Sequence, residues 1–111
     1  MTGVSFIITV YNKAGFLPDV VAALKNQAGD FNRQFIFVDD GSTDNSLEVL
    51  YKLTQDLADC EIIHQNNGGP SDATNRGIAI ARYPYIKLVD GDDVLDNNGT
   101  IALLKSLDKK D

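Results

Sequence analysis

Asp90-Gly91-Asp92-Asp93 puts three carboxylates into four residues, directly after the apolar stretch Tyr85-Ile86-Lys87-Leu88-Val89. That stretch reads as a buried strand, and like charges crowded at its end cost free energy unless a positive charge answers them. No Lys or Arg lies within the next four residues. A hard divalent cation is the natural partner, because such ions take oxygen ligands and favour carboxylates. The chain repeats the device: Gln34-Phe35-Ile36-Phe37-Val38 is a second apolar strand, and it runs into Asp39-Asp40-Gly41-Ser42. If the two strands are parallel neighbours, both acidic ends meet on one edge of one sheet. Asp40 and Asp92 must then share a pocket.

Such a pocket suits a nucleotide diphosphate bridged by Mg²⁺ or Mn²⁺, with Asp92 as a direct ligand and Asp90 beside it. A diphosphate leaves poorly in water because charge builds on its oxygens, and a metal neutralises that charge as the bond breaks. A plainer reading has Asp90 and Asp93 capping the turn from Val94 to Asn98, since Asp is common in turns. Asp39 to Asp44 reads either as a strand-to-helix loop with a good cap or as a place where an Asp accepts a hydrogen bond from a base or ribose. Asn66-Asn67-Gly68-Gly69-Pro70-Ser71 lacks the glycine spacing of a dinucleotide fingerprint and the Lys of a P-loop. It is either a plain turn or a place where backbone approaches a phosphate at the next helix start. His64, alone at a strand end, reads as structural, and Arg76 and Arg82 as solvated side chains within possible reach of a phosphate. An EF-hand counted from Asp90 fails, because Leu95 stands where glycine is required. The run also departs from the Asp-x-Asp-Gly-Thr pattern of haloacid-dehalogenase-like phosphatases. A response-regulator receiver would need a phosphorylatable Asp and a Lys at later strand ends, where none is evident.

The elements that must carry these residues alternate regularly. Val4 to Tyr11 is β-rich and nearly continuous in apolar residues, the pattern of a strand buried on both faces. After the Asn12–Gly15 loop, Leu17, Val20, Val21 and Leu24 mark a helix to about Gln27, with Pro18 in its first turn. The second strand spans Gln34 to Val38. Ser42, Thr43 or Asp44 offers an N-cap to a helix running to Leu57 along Leu47, Leu50 and Leu53. A short strand from Glu61 to His64 follows, then a helix capped by Ser71 or Asp72 that carries Ala73, Gly77, Ile78, Ile80 and Ala81. Tyr85 to Val89 is the fourth strand, Ile101 to Leu107 a last short helix, and the Lys- and Asp-rich end reads as frayed. This β-α-β-α-β-α-β-α order predicts an α/β fold, a Rossmann-like three-layer α/β/α arrangement on a mainly parallel sheet. Ligands of such sheets bind beyond the carboxyl ends of the strands, where strand order reverses. Tyr11-Asn12, Asp39-Asp40 and Asp90-Gly91-Asp92 all fall at such ends.

Composition narrows the function classes. The 111 residues make one domain, and 43% apolar content is enough for a core. A net charge of −6 argues against a nucleic-acid partner, which wants a basic face. Cys60 is the sole cysteine, which excludes an intrachain disulfide and fits a reducing compartment. No secretory signal pattern opens the chain and no apolar run approaches a membrane span. A cytoplasmic protein is expected. The sequon Asn98-Gly99-Thr100 is read as chance.

Four segments carry a resemblance. Val4 to Asn12, Phe37 to Asp44, Asn67 to Gly77 and Tyr85 to Asp93 are similar, in order and spacing, to the large inverting family of GT-A-fold glycosyltransferases, family 2-like. The resemblance implies a nucleotide-sugar donor, often UDP-linked, with Mg²⁺ or Mn²⁺ as cofactor, and a saccharide or lipid-linked acceptor. By position, Thr9 and Tyr11 line the nucleotide pocket. Asp40 faces the base with Asp39 in support, and the Asn67-Gly68-Gly69-Pro70 loop closes over the nucleotide. Asp90-Gly91 lies near ribose and metal, and Asp92 ligates the metal. Thr74 departs from the family, which often has Arg or another larger residue there. The family's general base and acceptor site lie beyond Asp111, so no catalytic residue is assigned. Residues 1–111 are expected to be the donor-binding half of a transferase, inactive alone, with a parent that is cytoplasmic or peripheral on the cytoplasmic membrane face. Four strands without later partners leave a sheet edge exposed, which invites self-association. The alternatives are a noncatalytic nucleotide- or metal-binding module and a magnesium-dependent aspartyl-phosphate protein.

Overall fold

The computed structural model describes residues 2–108, so the Lys109-Lys110-Asp111 end read as frayed lies outside the described residues. Four strands and four helices alternate: β1 (Gly3–Val10), α1 (Leu17–Lys25), β2 (Asn32–Asp40), α2 (Ser46–Leu53), β3 (Cys60–Gln65), α3 (Pro70–Ile80), β4 (Tyr85–Asp90) and α4 (Gly99–Asp108). All strand pairs are parallel, in the order β3-β2-β1-β4. The chain therefore builds outward from β1 in one direction, then returns to add β4 on its other side. The reversal lies between β1 and β4.

Strand residues alternate between faces. On one face Phe6, Ile8, Phe35 and Phe37 bury against Leu17, Val20, Val21 and Leu24 of α1, Leu50 of α2 and Leu104 of α4. On the other, Ile7, Ile36 and Val38 pack with Ala73 of α3. Helices on both faces give the three layers that the alternating pattern predicts. Gly77 is what brings α3 close, because a Cβ there would sit 2.5 Å from Ile7 Cγ2.

Buried polar side chains tie the layers together. Gln34 Oε1 accepts hydrogen bonds from Ser5 Oγ (2.6 Å) and the Arg82 N–H, while its Nε2 donates to the Ile80 carbonyl. Gln27 does the same between helices: its Oε1 accepts from the Thr100 N–H and hydroxyl, and its Nε2 donates to the Ala23 and Asp96 carbonyls. Among the described residues no buried side-chain nitrogen or oxygen lacks a partner.

Several boundaries differ from the sequence reading. The second strand extends to Asp40, and α2 is shorter than predicted, running only from Ser46 to Leu53. Its N-cap position is Asn45, which makes no side-chain cap bond; Ser42 and Thr43 are engaged elsewhere, while Asp44 Oδ1 accepts from the Ser46 N–H at the first residue of the helix. Gly69 caps α3 with Pro70 at its first position, so Ser71 and Asp72 lie inside the first turn instead of capping it. The larger correction concerns β4. It is an edge strand, and Tyr85, Ile86 and Leu88 are exposed, Leu88 by 57%. Its mostly apolar run looks like a buried strand, but α3 packs mainly on β1 and β2 and leaves Ile86 and Leu88, on the same face of β4, exposed. The predicted open edge is there.

Burial pushes the Cys60 thiol up to about 11, with Asp59 and Glu61 adding to the rise against a hydrogen bond from Thr54. The ordinary value is 9.0. Thiolate is the reactive form. Iodoacetamide at pH 8 is therefore expected to alkylate native Cys60 about 10²-fold more slowly than the unfolded chain, and comparable rates would contradict this placement.

Candidate functional site

Strand parity decides which acidic residues meet. Thr9 pairs with Val38 on one side and Asp90 on the other, so all three share the face covered by α3. Asp40, two residues beyond Val38, shares it too. Asp39 must point the other way. Beyond the strand ends this face opens into a pocket of about 310 Å³ between β1 and β4, lined by Thr9 and Tyr11 from β1 and its loop, Asp40 from β2, and Asp90, Gly91 and Asp92 from β4. Asn67 and Pro70 close one side. Asp40 and Asp92, 52 residues apart in sequence, thus line one cavity at the switch point where sheet topology places ligands.

Asp40 organises the glycine loop. Its Oδ1 accepts from Gln65 Nε2 (2.9 Å) and the Gly68 N–H (2.8 Å), and its Oδ2 from the Gly69 N–H (3.0 Å). Burial is the largest single influence on this carboxyl and raises its pKa. The three hydrogen bonds together outweigh it and hold the carboxyl below the ordinary range. Gly68 and Gly69 enter the site through these bonds and do not line the cavity.

Asp39 lies outside the pocket, wholly buried on the opposite face. It accepts from Ser42 Oγ (2.5 Å) and sits 2.8 Å from His64 Nδ1, which gives that lone histidine its structural partner. Ser42 Oγ in turn accepts from the Asn12 N–H, and Asn12 Oδ1 accepts from the Thr43 and Asp44 N–H groups. The Ser42-Thr43-Asp44 run therefore braces the loop after β1. Asp39 braces that loop and does not line the pocket.

The sequence reading missed Lys13. Its Nζ lies 3.1 Å from Asp92 Oδ2 and its side chain lines the pocket, with Val10 and Ala73 as further lining residues. No cation follows the acidic run along the chain, but one reaches it in space from 79 residues earlier. The available signal was the position of Lys13, three residues beyond the end of the strand that neighbours β4. Arg82 instead pairs with Asp59 at the far end of the sheet, and Arg76 lines a separate open groove with Gln65, Asn66 and Asp72.

Among the described residues no three His, Cys, Asp or Glu side chains converge as a metal cage. Asp90 and Asp92 in one pocket offer hard carboxylate oxygens, enough for a cation that completes its shell with phosphate and water. The donor set fits a substrate-bridged Mg²⁺ or Mn²⁺ and not a structural metal.

The family model described as glycosyl transferase family 2 matches residues 5–111. The chain belongs to that family. Among family relatives, the glycosyltransferase GlyG of Streptococcus pneumoniae is 35% identical over 109 residues, which cover 97% of this chain and 36% of the relative. The S. aureus TarS fragment 1–349 in complex with UDP-GlcNAc superposes with a TM-score of 0.85 at 24% identity, over 98% of this chain and 32% of that one. The mannosyltransferase PcManGT from Pyrobaculum calidifontis, in complex with GDP-Man and Mn²⁺, gives 0.79 at 20% identity over 89% and 30%. These two likenesses establish the GT-A fold for this family 2 chain. The chain spans about a quarter to a third of the length of the curated relatives it matches. No helix among the described residues is long and apolar enough to cross a membrane.

Proposed function

We propose that this family 2 chain is the donor-binding portion of a glycosyltransferase that moves a sugar from a UDP-linked donor, held with Mg²⁺ or Mn²⁺, to a saccharide or lipid-linked acceptor. The single observation that carries the reading is the convergence of Asp40, Asp90 and Asp92 with Thr9 and Tyr11 in one pocket at the β1/β4 reversal. The TarS complex with UDP-GlcNAc supports the donor class and the PcManGT complex with Mn²⁺ supports the metal. The sole cysteine, Cys60, supports a cytoplasmic setting.

Each side chain has a task. Tyr11, 45% exposed at the pocket mouth, presents a flat ring on which a base can lie. A carboxylate has about four acceptor sites. The Gln65, Gly68 and Gly69 bonds take three on Asp40, which leaves one on Oδ2 for a base N–H. Asp40 thereby reads the nucleotide while it holds the loop that covers it. Asp90, level with Thr9, lies toward the ribose and Asp92 toward the diphosphate. A divalent cation bound there would supply neutralisation of the charge that gathers on the leaving diphosphate.

Calorimetric titration of UDP, with and without Mn²⁺, tests the reading. Wild type is expected to bind UDP at least tenfold more tightly with Mn²⁺, and Asp92→Asn to lose that gain. Metal-independent binding unchanged in Asp92→Asn would sink it. The competing reading is a noncatalytic nucleotide-binding module, which would bind the donor without turning it over. Donor turnover with a panel of acceptors separates the two.

A further inference from the structure

Lys13 is built into the pocket more firmly than a surface ion pair. Its backbone N–H donates to the buried Ser46 Oγ (2.9 Å), and its carbonyl accepts from the Phe16 and Leu17 N–H groups at the start of α1. Its ammonium lies 5.6 Å from the centre of the Phe16 ring. Its aliphatic stem runs over Gly91, where a Cβ would fall 3.1 Å from Lys13 Cγ and 3.3 Å from Lys13 Cβ, as well as 3.1 Å from the Thr9 carbonyl. Gly91 thus leaves a track for the stem, and the track ends at Asp92. Among the described residues Lys13 is also the only cationic side chain lining the pocket, against the carboxylates of Asp40, Asp90 and Asp92. Those groups leave the pocket net negative, a poor host for a diphosphate until cations balance it.

The geometry points to Lys13 as an exchangeable counter-ion: it pairs with Asp92 before the donor arrives, gives that carboxylate up to the divalent cation, and turns its ammonium onto a phosphate oxygen of the same ligand. This rests on the donor-binding reading above and adds a residue to it. One carboxylate oxygen does not serve an ammonium and a hard divalent ion equally well, because the ion demands close oxygen ligands at fixed distances. The two therefore compete at Asp92. The ammonium is compact, carries three donors and sits on a flexible four-carbon stem. With Asp92 engaged by metal, the anion left for the ammonium would be the diphosphate of the same donor. Both side chains are accessible enough for the exchange, with Lys13 34% and Asp92 43% exposed. The same ammonium opposes metal without nucleotide and favours nucleotide with metal, so the two ligands are admitted together.

Mn²⁺ affinity without nucleotide, read as free Mn²⁺ by electron paramagnetic resonance, separates the two halves of this exchange from UDP affinity at saturating Mn²⁺, read by calorimetry. Lys13→Met keeps the stem and removes the charge, and Lys13→Arg keeps the charge. Lys13→Met is expected to bind Mn²⁺ alone about 3- to 10-fold more tightly, since a competitor is gone. It is expected to bind UDP with Mn²⁺ about tenfold more weakly, the scale of one charge-assisted hydrogen bond. Lys13→Arg is expected to stay within about threefold of wild type in both assays. If Lys13→Met leaves Mn²⁺ affinity unchanged or weaker, or leaves UDP affinity unchanged, the exchange is wrong. Asp92→Asn run beside it keeps the two claims apart. If Asp92→Asn loses Mn²⁺-dependent UDP binding while Lys13→Met does not differ from wild type, only the Lys13 inference falls. If wild type binds no UDP with Mn²⁺, both fall.

Discussion

Asp40→Ala is expected to weaken UDP binding by about 10²-fold and to lower stability by about 2 kcal/mol, measured by calorimetry and by denaturant unfolding. The binding loss has two sources. One is the acceptor that Oδ2 offers to a base, at roughly 1.5–3 kcal/mol for a hydrogen bond to a charged group. The other is the loop itself, because Gly68 and Gly69, between the pocket-lining Asn67 and Pro70, are held by the same carboxylate. Without it the loop must be ordered by the ligand, and that ordering subtracts from affinity. The stability loss comes from two backbone N–H groups and the Gln65 amide left without their acceptor. It stays near the low end of the usual range because the loop is partly exposed and water can replace some of the bonds. UDP affinity within about threefold of wild type would remove Asp40 from the nucleotide site.

The same carboxylate sets a pH signature. In the folded chain Asp40 titrates below its ordinary range, because the bonds from Gln65, Gly68 and Gly69 outweigh a burial that would raise it. A depressed folded pKa means that its stabilisation is complete above the unfolded value, about 3.9, and is lost as pH falls through the folded value. Wild type should therefore lose stability on acidification below about pH 4. Asp40→Ala should lose less over that window, so the two curves converge in acid.

Much of this arrangement was legible because parallel α/β sheets obey local rules. The apolar runs at Phe6–Ile8 and Phe35–Val38 named the strands, and the Leu17–Leu24 stripe named a helix and its buried face. Short alternating connections favour parallel pairing, and parallel pairing brings strand ends to one edge, so Asp40 and Asp92 could be set on that edge from order alone, although β2 and β4 are not the neighbours that reading supposed, since β1 lies between them. What stayed hidden depends on partners distant in sequence. Ser42, Thr43 and Asp44 have the side chains of a helix cap, yet two of them were claimed by Asn12, 30 residues earlier. Asp39 and Asp40 are equivalent as letters, and the pleat alone sends one to His64 and the other to the ligand face. An apolar edge strand and an apolar central strand have the same composition, so β4 read as buried although Ile86 and Leu88 stand exposed. Lys13 was invisible as the partner of Asp92 because an ion pair across 79 residues leaves no local trace.

Phe6→Ala is expected to lower Tm by roughly 15–30 °C while leaving the UDP affinity of the folded fraction within about threefold of wild type. Phe6 is fully buried on central strand β1, its ring stacked on Phe35 at 5.2 Å between centroids and tilted against Phe31 at 6.5 Å. Removing a buried Phe side chain costs about 3–5 kcal/mol in lost transfer energy and residual cavity. That is a large fraction of the roughly 5–15 kcal/mol that holds a domain of this size folded. Phe6 points to the face where α1, α2 and α4 pack, whereas Thr9, Asp40 and Asp90 point to the face under α3. A cavity at Phe6 relaxes first into the side chains of Phe31, Phe35 and α1, and the sheet backbone between the two faces is held by ladders on both sides of β1. Stability and ligand affinity should therefore separate: Phe6→Ala moves the first and spares the second, while Asp40→Ala moves affinity by far more than its modest loss of stability implies. A fall in UDP affinity of Phe6→Ala that tracks its fall in Tm, measured well below the transition, would show instead that the two faces of the sheet deform as one body and that the pocket draws its geometry from the aromatic core.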